Sequence, residues 1–336
     1  MLLSFIVSEL VDDRKQMIDL MLFCLDTRVS SEVLLIYVWA NTHSHAYGNL
    51  KYFIDTAVRE NDGVDYYFIL QRVDNKTINE STMPVLPSNG HYLQHENECF
   101  DFGTVGWFFN EFTYGNPWIN QSDEINNRIK KFNLQNYRYF ILLNSSIRGP
   151  FFPPYYLQFL SDYQTDTKKI FYWYYLFTKR LNDKVKLTGV TISCLPAPHI
   201  QSYILATDWI GLTILLKPGS GGSSQAEGIF GCYPIKNHVS LNSEVPSSNR
   251  ILEANYMIDC LLTKYQGINF NERQNRLCNQ HRNPYFNDGF DGVQLDPYEV
   301  VFIKFSDFEF LQVGRERARL YQRWMEDASK VNRSIW

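Results

Sequence analysis

A chain of 336 residues is long enough for one large α/β domain or for two small ones. Its hydrophobic share of 45% and charged share of 20% are ordinary for a globular protein that buries a real core. A net charge of -4 excludes the basic footprint of a nucleic-acid binder, and no polybasic run points to an anionic membrane surface.

The chain opens on seven largely apolar residues, but Glu9, Asp12, Asp13, Arg14 and Lys15 follow at once. That run is too short for a bilayer and lacks the basic start of a signal peptide. No other stretch reaches membrane length without charges, so no transmembrane segment is expected and the compartment reads as cytoplasmic. Residues 1–32 read as an N-terminal extension. The first strand is predicted at 33–39, a continuous β-branched and aromatic run of the kind buried on both faces of a parallel sheet. Asn49 then opens a helix to Val58, Asn61-Asp62-Gly63 breaks it, and a second strand follows at 65–70. Strand, helix, strand with short links predicts a right-handed βαβ unit.

Residues 72–100 are polar without a clear period and read as a loop beyond a strand's carboxyl end, hence part of a ligand crevice. Helices are predicted at 104–113 and 123–136, the second capped by Ser122. The third buried strand, 139–143, ends abruptly in Asn144-Ser145-Ser146-Ile147-Arg148-Gly149-Pro150. The alternation then repeats: helices at 154–162 and 170–181, a strand at 185–193, a long helix at 200–216 and a short strand at 228–233. A helix at 247–265, a strand at 299–305 and a charged outer helix at 306–332 complete it. The Gly/Ser-rich stretch 217–224 reads as a mobile loop, and the pattern contains no internal repeat. The fold class this implies is α/β, a mostly parallel central sheet flanked by helices.

Aromatic residues make up 16% of the chain. Sugar sites use aromatic faces, which leans towards a glycan ligand, although most of these rings read as core. Six cysteines without C-x-x-C spacing argue against a structural zinc site and read as buried free thiols of a reducing compartment.

Several segments together carry a resemblance. They are Asn97-Glu98-Cys99-Phe100-Asp101-Phe102-Gly103 before a helix, Leu142-Leu143-Asn144-Ser145-Ser146-Ile147-Arg148-Gly149-Pro150-Phe151 at a strand end, and Gly189-Val190-Thr191-Ile192-Ser193. Pro198-His199-Ile200-Gln201-Ser202, Ala206-Thr207-Asp208 and Glu244-Val245-Pro246-Ser247-Ser248 complete the series. The combination resembles GT-A-type glycosyltransferase-like proteins, related to rhamnan- and capsule-synthesis transferases and common in algae and the large DNA viruses that infect them. It covers roughly residues 33–305, with 306–336 as a C-terminal helix packed on that domain.

The resemblance implies a GT-A-like, Rossmann-type sheet and transfer of a sugar from a UDP-, GDP- or TDP-linked donor to a glycan or glycoprotein acceptor. It places Asn97, Asp101 and Gly103 at the nucleotide, Gly103 letting the backbone come close. It also sets Asn144, Ser145 and Ser146 where such enzymes carry Asp-x-Asp on a divalent metal. No carboxylate stands there, so either Arg148 and backbone N–H groups stabilise the diphosphate without metal, or Mn or Mg is held by acids elsewhere. Glu244 is the first candidate for the base of an inverting transfer, Asp208 the second. Each has a structural alternative, Glu244 as a first-turn acid and Asp208 within a helix. His199, Gln201 and His238 are candidates for acceptor contact, with a satisfied core histidine as the other reading of His199. His43 and His45 give no closed metal site.

Other enzyme classes fit poorly. No G-x-G-x-x-G follows the first strand, no G-x-S-x-G elbow is present, and no carboxylate pair for glycoside hydrolysis stands out. A second function class stays open: a catalytically inactive transferase fold that binds glycan as a lectin or scaffold.

Overall fold

The computed structural model of the protein describes residues 31–74, 76–118, 132–153, 172–219 and 228–331. The predicted N-terminal extension, Cys24, most of the 123–136 helix, the 154–162 helix, the start of the 170–181 helix and most of the Gly/Ser loop lie outside them.

Seven strands form the central sheet: β1 (Val33–Ala40), β2 (Val64–Arg72), β3 (Gly90–Glu96), β4 (Tyr139–Asn144), β5 (Val185–Gly189), β6 (Ile204–Asp208) and β7 (Met257–Cys260). Their spatial order is β3-β2-β1-β4-β6-β5-β7. All neighbours run parallel except β6, which is antiparallel to both β4 and β5. The principal helices are α1 (Ala46–Ala57), α2 (Phe100–Phe112), α3 (Trp209–Leu216), α4 (Val245–Glu253) and α5 (Gln312–Val331). All eight residues of β1 are buried, as its uninterrupted apolar sequence requires for a strand covered on both faces.

Several sequence expectations are corrected. The polar stretch before residue 100 contains β3, an edge strand that is half-buried and therefore mixed in composition. From it the Gln94 side-chain amide holds the preceding loop, accepting from the Ile78 backbone N–H at 3.0 Å and donating to its carbonyl at 2.9 Å. The region expected as one long helix at 200–216 is β6 followed by α3. Apolar residues dominate both elements, so the stretch shows no single period, and Asp208 marks the boundary by accepting the Gly211 N–H at 2.9 Å. The expected helix at 247–265 stops at Glu253. Asn255 adopts a left-handed φ of 63° and the chain turns into β7.

No strand forms at 228–233, and the expected strand at 299–305 shrinks to Ile303–Lys304, paired antiparallel with Ile147–Arg148. Asn49 does not open α1, which begins three residues earlier. It is buried inside the helix, its amide donating to the Ser145 and Phe305 carbonyls at 2.8 Å each. α5 lies against a second apolar cluster of Tyr52, Phe151, Ile303 and Phe305, contributing Ala318 and Met325. Among the described residues, no helix is long and apolar enough to cross a membrane.

The cysteines are corrected as well. Cys99 is bonded to Cys232 and Cys194 to Cys278, and only Cys260 is a free, buried thiol among the described residues.

Candidate functional site

In an open α/β sheet the crevice outside the strands' carboxyl ends forms where chain connections diverge. Here β1 leads through α1 to β2 on one side, while β4 lies on its other side, with Val38 opposite Asn144. The crevice therefore receives the loop after β1, with His43, and the end of β4, with Asn144-Ser145-Ser146.

A continuous polar chain occupies this place. The Asn144 amide donates to the Asp101 carboxylate at 2.8 Å, from the first turn of α2. Its oxygen accepts the Ser146 N–H at 3.1 Å and the Ser146 hydroxyl. That hydroxyl in turn accepts a hydrogen bond of 2.6 Å from the Lys304 ammonium. On the far side, Glu244 accepts from the Ser202 hydroxyl at 3.0 Å. Glu244 ends a widened π turn, Ser240–Glu244, directly before α4. Pro246 lacks an N–H and cannot continue a regular ladder there, and such turns favour functional positions.

These groups share one electrostatic environment. Burial, then the nearby charge of Glu244, hold Asp101 above the usual carboxylate range, against the Asn144 hydrogen bond and the Lys304 charge. Burial brings Lys304 down to about 8, opposed by Glu244 and Asp101 and assisted by Lys236. The Tyr203 and Tyr285 rings lie 5.4 and 5.9 Å from the Lys304 nitrogen. Beneath the polar chain, Asp101, Phe102, Leu142, Leu143, Ser202 and Leu205 help to line a slot of about 10 Å³. That is room for about one water, so a larger ligand would lie over the crevice rather than inside it.

Of the residues singled out in the sequence, Asp101, Asn144, Ser146 and Glu244 converge here. Ser145 is beside them but bonded inward, its hydroxyl donating to the Ala40 carbonyl at 3.3 Å. Gly103 faces protein: a Cβ there would meet the Cys99 side chain and lie 3.1 Å from the Gly231 carbonyl. Asn97 is exposed beyond the edge strand, its N–H on the Arg72 carbonyl.

Arg148 is directed away, donating to Asn49 at 3.0 Å and Gln322 at 3.1 Å and stacked 3.9 Å from the Phe305 ring. Asp208 pairs with Tyr139, the first residue of β4, whereas Asn144 is the last. Five residues of strand put roughly 16 Å between them. There Asp208 caps α3 and holds the buried Lys186 ammonium at 2.7 Å.

His199 is buried with its Nδ1 on the Ala197 carbonyl at 2.7 Å, the core-histidine alternative. Gln201 is buried between Thr191 and Asn283, behind Tyr203. His238 sits half-buried in the short helix Lys236–Val239 that leads to Glu244.

Lys304 and His43 were not chosen from the sequence. Lys304 interrupts the apolar run 300–305, and a lone charge in such a run was the available signal. His43 accepts the His45 N–H on Nδ1 at 3.3 Å, which leaves the proton of a neutral ring on Nε2, with the Ser145 backbone beside the ring.

Residues 144–146, which stand where the resembling enzymes carry Asp-x-Asp, do not make a donor set for a divalent metal. The Asn144 oxygen is engaged by Ser146, the Ser145 hydroxyl turns onto Ala40, and the Lys304 cation already rests on Ser146.

No protein-family model matches the chain, and a search of curated proteins finds no match.

Proposed function

We propose that this chain is a GT-A-type glycosyltransferase that moves a sugar from a nucleotide diphosphate donor to a glycan or glycoprotein acceptor. One observation carries the reading: the chain Lys304–Ser146–Asn144–Asp101 at the carboxyl ends of β1 and β4, with Glu244 facing it. The sheet order, with the sixth strand reversed, supports it.

In this reading the Lys304 ammonium faces the donor diphosphate and offsets the charge that grows as the bond from the anomeric carbon to phosphate oxygen breaks. The Ser146 hydroxyl and the Asn144 amide hold that ammonium and the Asp101 carboxyl in place. Asp101 accepts a donor hydroxyl. Glu244 takes the proton of the acceptor hydroxyl while the acceptor oxygen bonds the anomeric carbon, and the nucleoside diphosphate departs. No metal is required, because a side-chain cation stands where one would bind. The two disulfides favour an oxidising compartment over the cytoplasm expected from the sequence.

The absence of an Asp-x-Asp at residues 144–146 favours a second reading, a glycan-binding protein without turnover. Incubation with UDP-, GDP- and TDP-linked sugars, with and without glycan acceptors, separates the two. Release of nucleoside diphosphate with at least one donor supports the transferase. Glycan binding with no turnover of any donor replaces it by the binding protein.

A further inference from the structure

The acids of the candidate site stand on two segments far apart in sequence, and the Cys99–Cys232 disulfide joins those segments. Cys99 is buried at the cap of α2, two residues before Asp101. Cys232 is exposed, four residues before the short helix that runs into Glu244. Around the bond, α2 and the 230–232 backbone touch directly. A Cβ on Gly106 would meet the Phe230 carbonyl, and the Phe109 and Phe230 rings lie 5.4 Å apart. Between Cys99 and Asp101, Phe100 holds a φ of 54°, a conformation an L residue keeps only where its surroundings fix it.

We propose that the Cys99–Cys232 disulfide is a positioning clamp that holds Asp101 against Asn144 and Glu244, and that a dithiol reductant opens it. The reductant's thiolate attacks the sulfur of Cys232, the exposed residue of the pair, and releases the Cys99 thiolate, which takes a proton. The reductant's second thiol then closes on the mixed disulfide and releases Cys232. Two electrons and two protons pass to the protein, and the reductant leaves as a cyclic disulfide. Cys194–Cys278 resists longer, because Cys194 is fully buried and Cys278 half-buried.

The role as a clamp rests on the site geometry alone; only its effect on donor binding rests on the transferase reading. The test is a dithiothreitol titration of the oxidised protein, with thiols alkylated and mapped by mass spectrometry. In parallel, the Asp101 carboxyl is titrated by carbon NMR and melting is followed with each nucleotide sugar. Expected is alkylation of Cys232 while Cys194–Cys278 stays linked, an unchanged far-ultraviolet spectrum, and an Asp101 titration that falls towards the ordinary aspartate range. Reoxidation restores it, and the variant carrying C99S and C232S reproduces the reduced state. An Asp101 titration unmoved by reduction, or earlier opening of Cys194–Cys278, overturns the clamp. If Asp101 responds but no nucleotide sugar alters melting of the oxidised protein, the clamp stands and the transferase reading falls.

Discussion

Lys304 reaches Ser146 across 158 residues of sequence, and that separation explains why the site was half legible. Asp101, Asn144, Ser146 and Glu244 could be named in advance because the segments that carry the resemblance contain them, at a helix start or a strand end. Which cation serves them is a tertiary fact: Arg148, adjacent in sequence, is consumed by Asn49, Gln322 and Phe305, while Lys304 arrives from near the far end of the chain. The burial that brings Lys304 down to about 8 sets a pH limit. Below that value the ammonium is charged and, in the proposed reading, faces the diphosphate; above it the charge is lost. Donor affinity measured by calorimetry should therefore fall as pH rises through about 8, and Lys304→Arg should move that fall upward. Glu244→Gln should slow transfer by about 10²–10⁴-fold while donor affinity changes little. Unchanged turnover in that variant removes Glu244 from the role of base.

Apolar runs bounded by turn residues were legible, and a run that passes from one element into the next was not. β1, β2 and β4 are long apolar runs between turn residues, whereas β6 and α3 share one apolar stretch whose boundary only Asp208 marks. Asp208 caps α3 and holds Lys186 at the opposite end of β4 from Asn144. Asp208→Ala removes the cap and leaves the nearly buried Lys186 without its partner, which should cost about 3–5 kcal/mol in denaturant unfolding. Activity per folded molecule should stay unchanged, and a specific loss of turnover would return Asp208 to the chemistry.

The turn between α1 and β2 carries a second test. Burial pushes Asp62 up to about 6, against hydrogen bonds from Tyr66 and the Val64 backbone. A carboxyl with a raised folded pKa stabilises fully below its ordinary value of 3.8, and that contribution is lost as pH rises through about 6. Asp62→Asn should therefore gain on the wild type between pH 4 and pH 8 by up to about 3 kcal/mol, the equivalent of the shift. An equal difference at both pH values contradicts the assignment.

At the scale of the molecule, the alternation of strands and helices announced an α/β sheet. The order of its strands and the reversal of β6 depend on pairings between distant segments, which no local pattern encodes. That order makes the crevice at β1 and β4 the meeting place of the loop after β1, the start of α2, the turn before α4 and the strand bearing Lys304. With a side-chain cation built in, turnover should persist in excess chelator, and complete loss restored by manganese would contradict the metal-free account. The central claim is that Lys304 and its polar chain bind a sugar diphosphate. Its most direct measurement is the calorimetric affinity for UDP-, GDP- and TDP-linked sugars in the wild type and in Lys304→Met, with both proteins shown to be folded. The account predicts binding of at least one donor by the wild type and a loss of roughly 10- to 100-fold in the variant, as expected for a hydrogen bond to a charged group. Equal affinity in the two proteins, or no binding of any donor by the wild type, would contradict it.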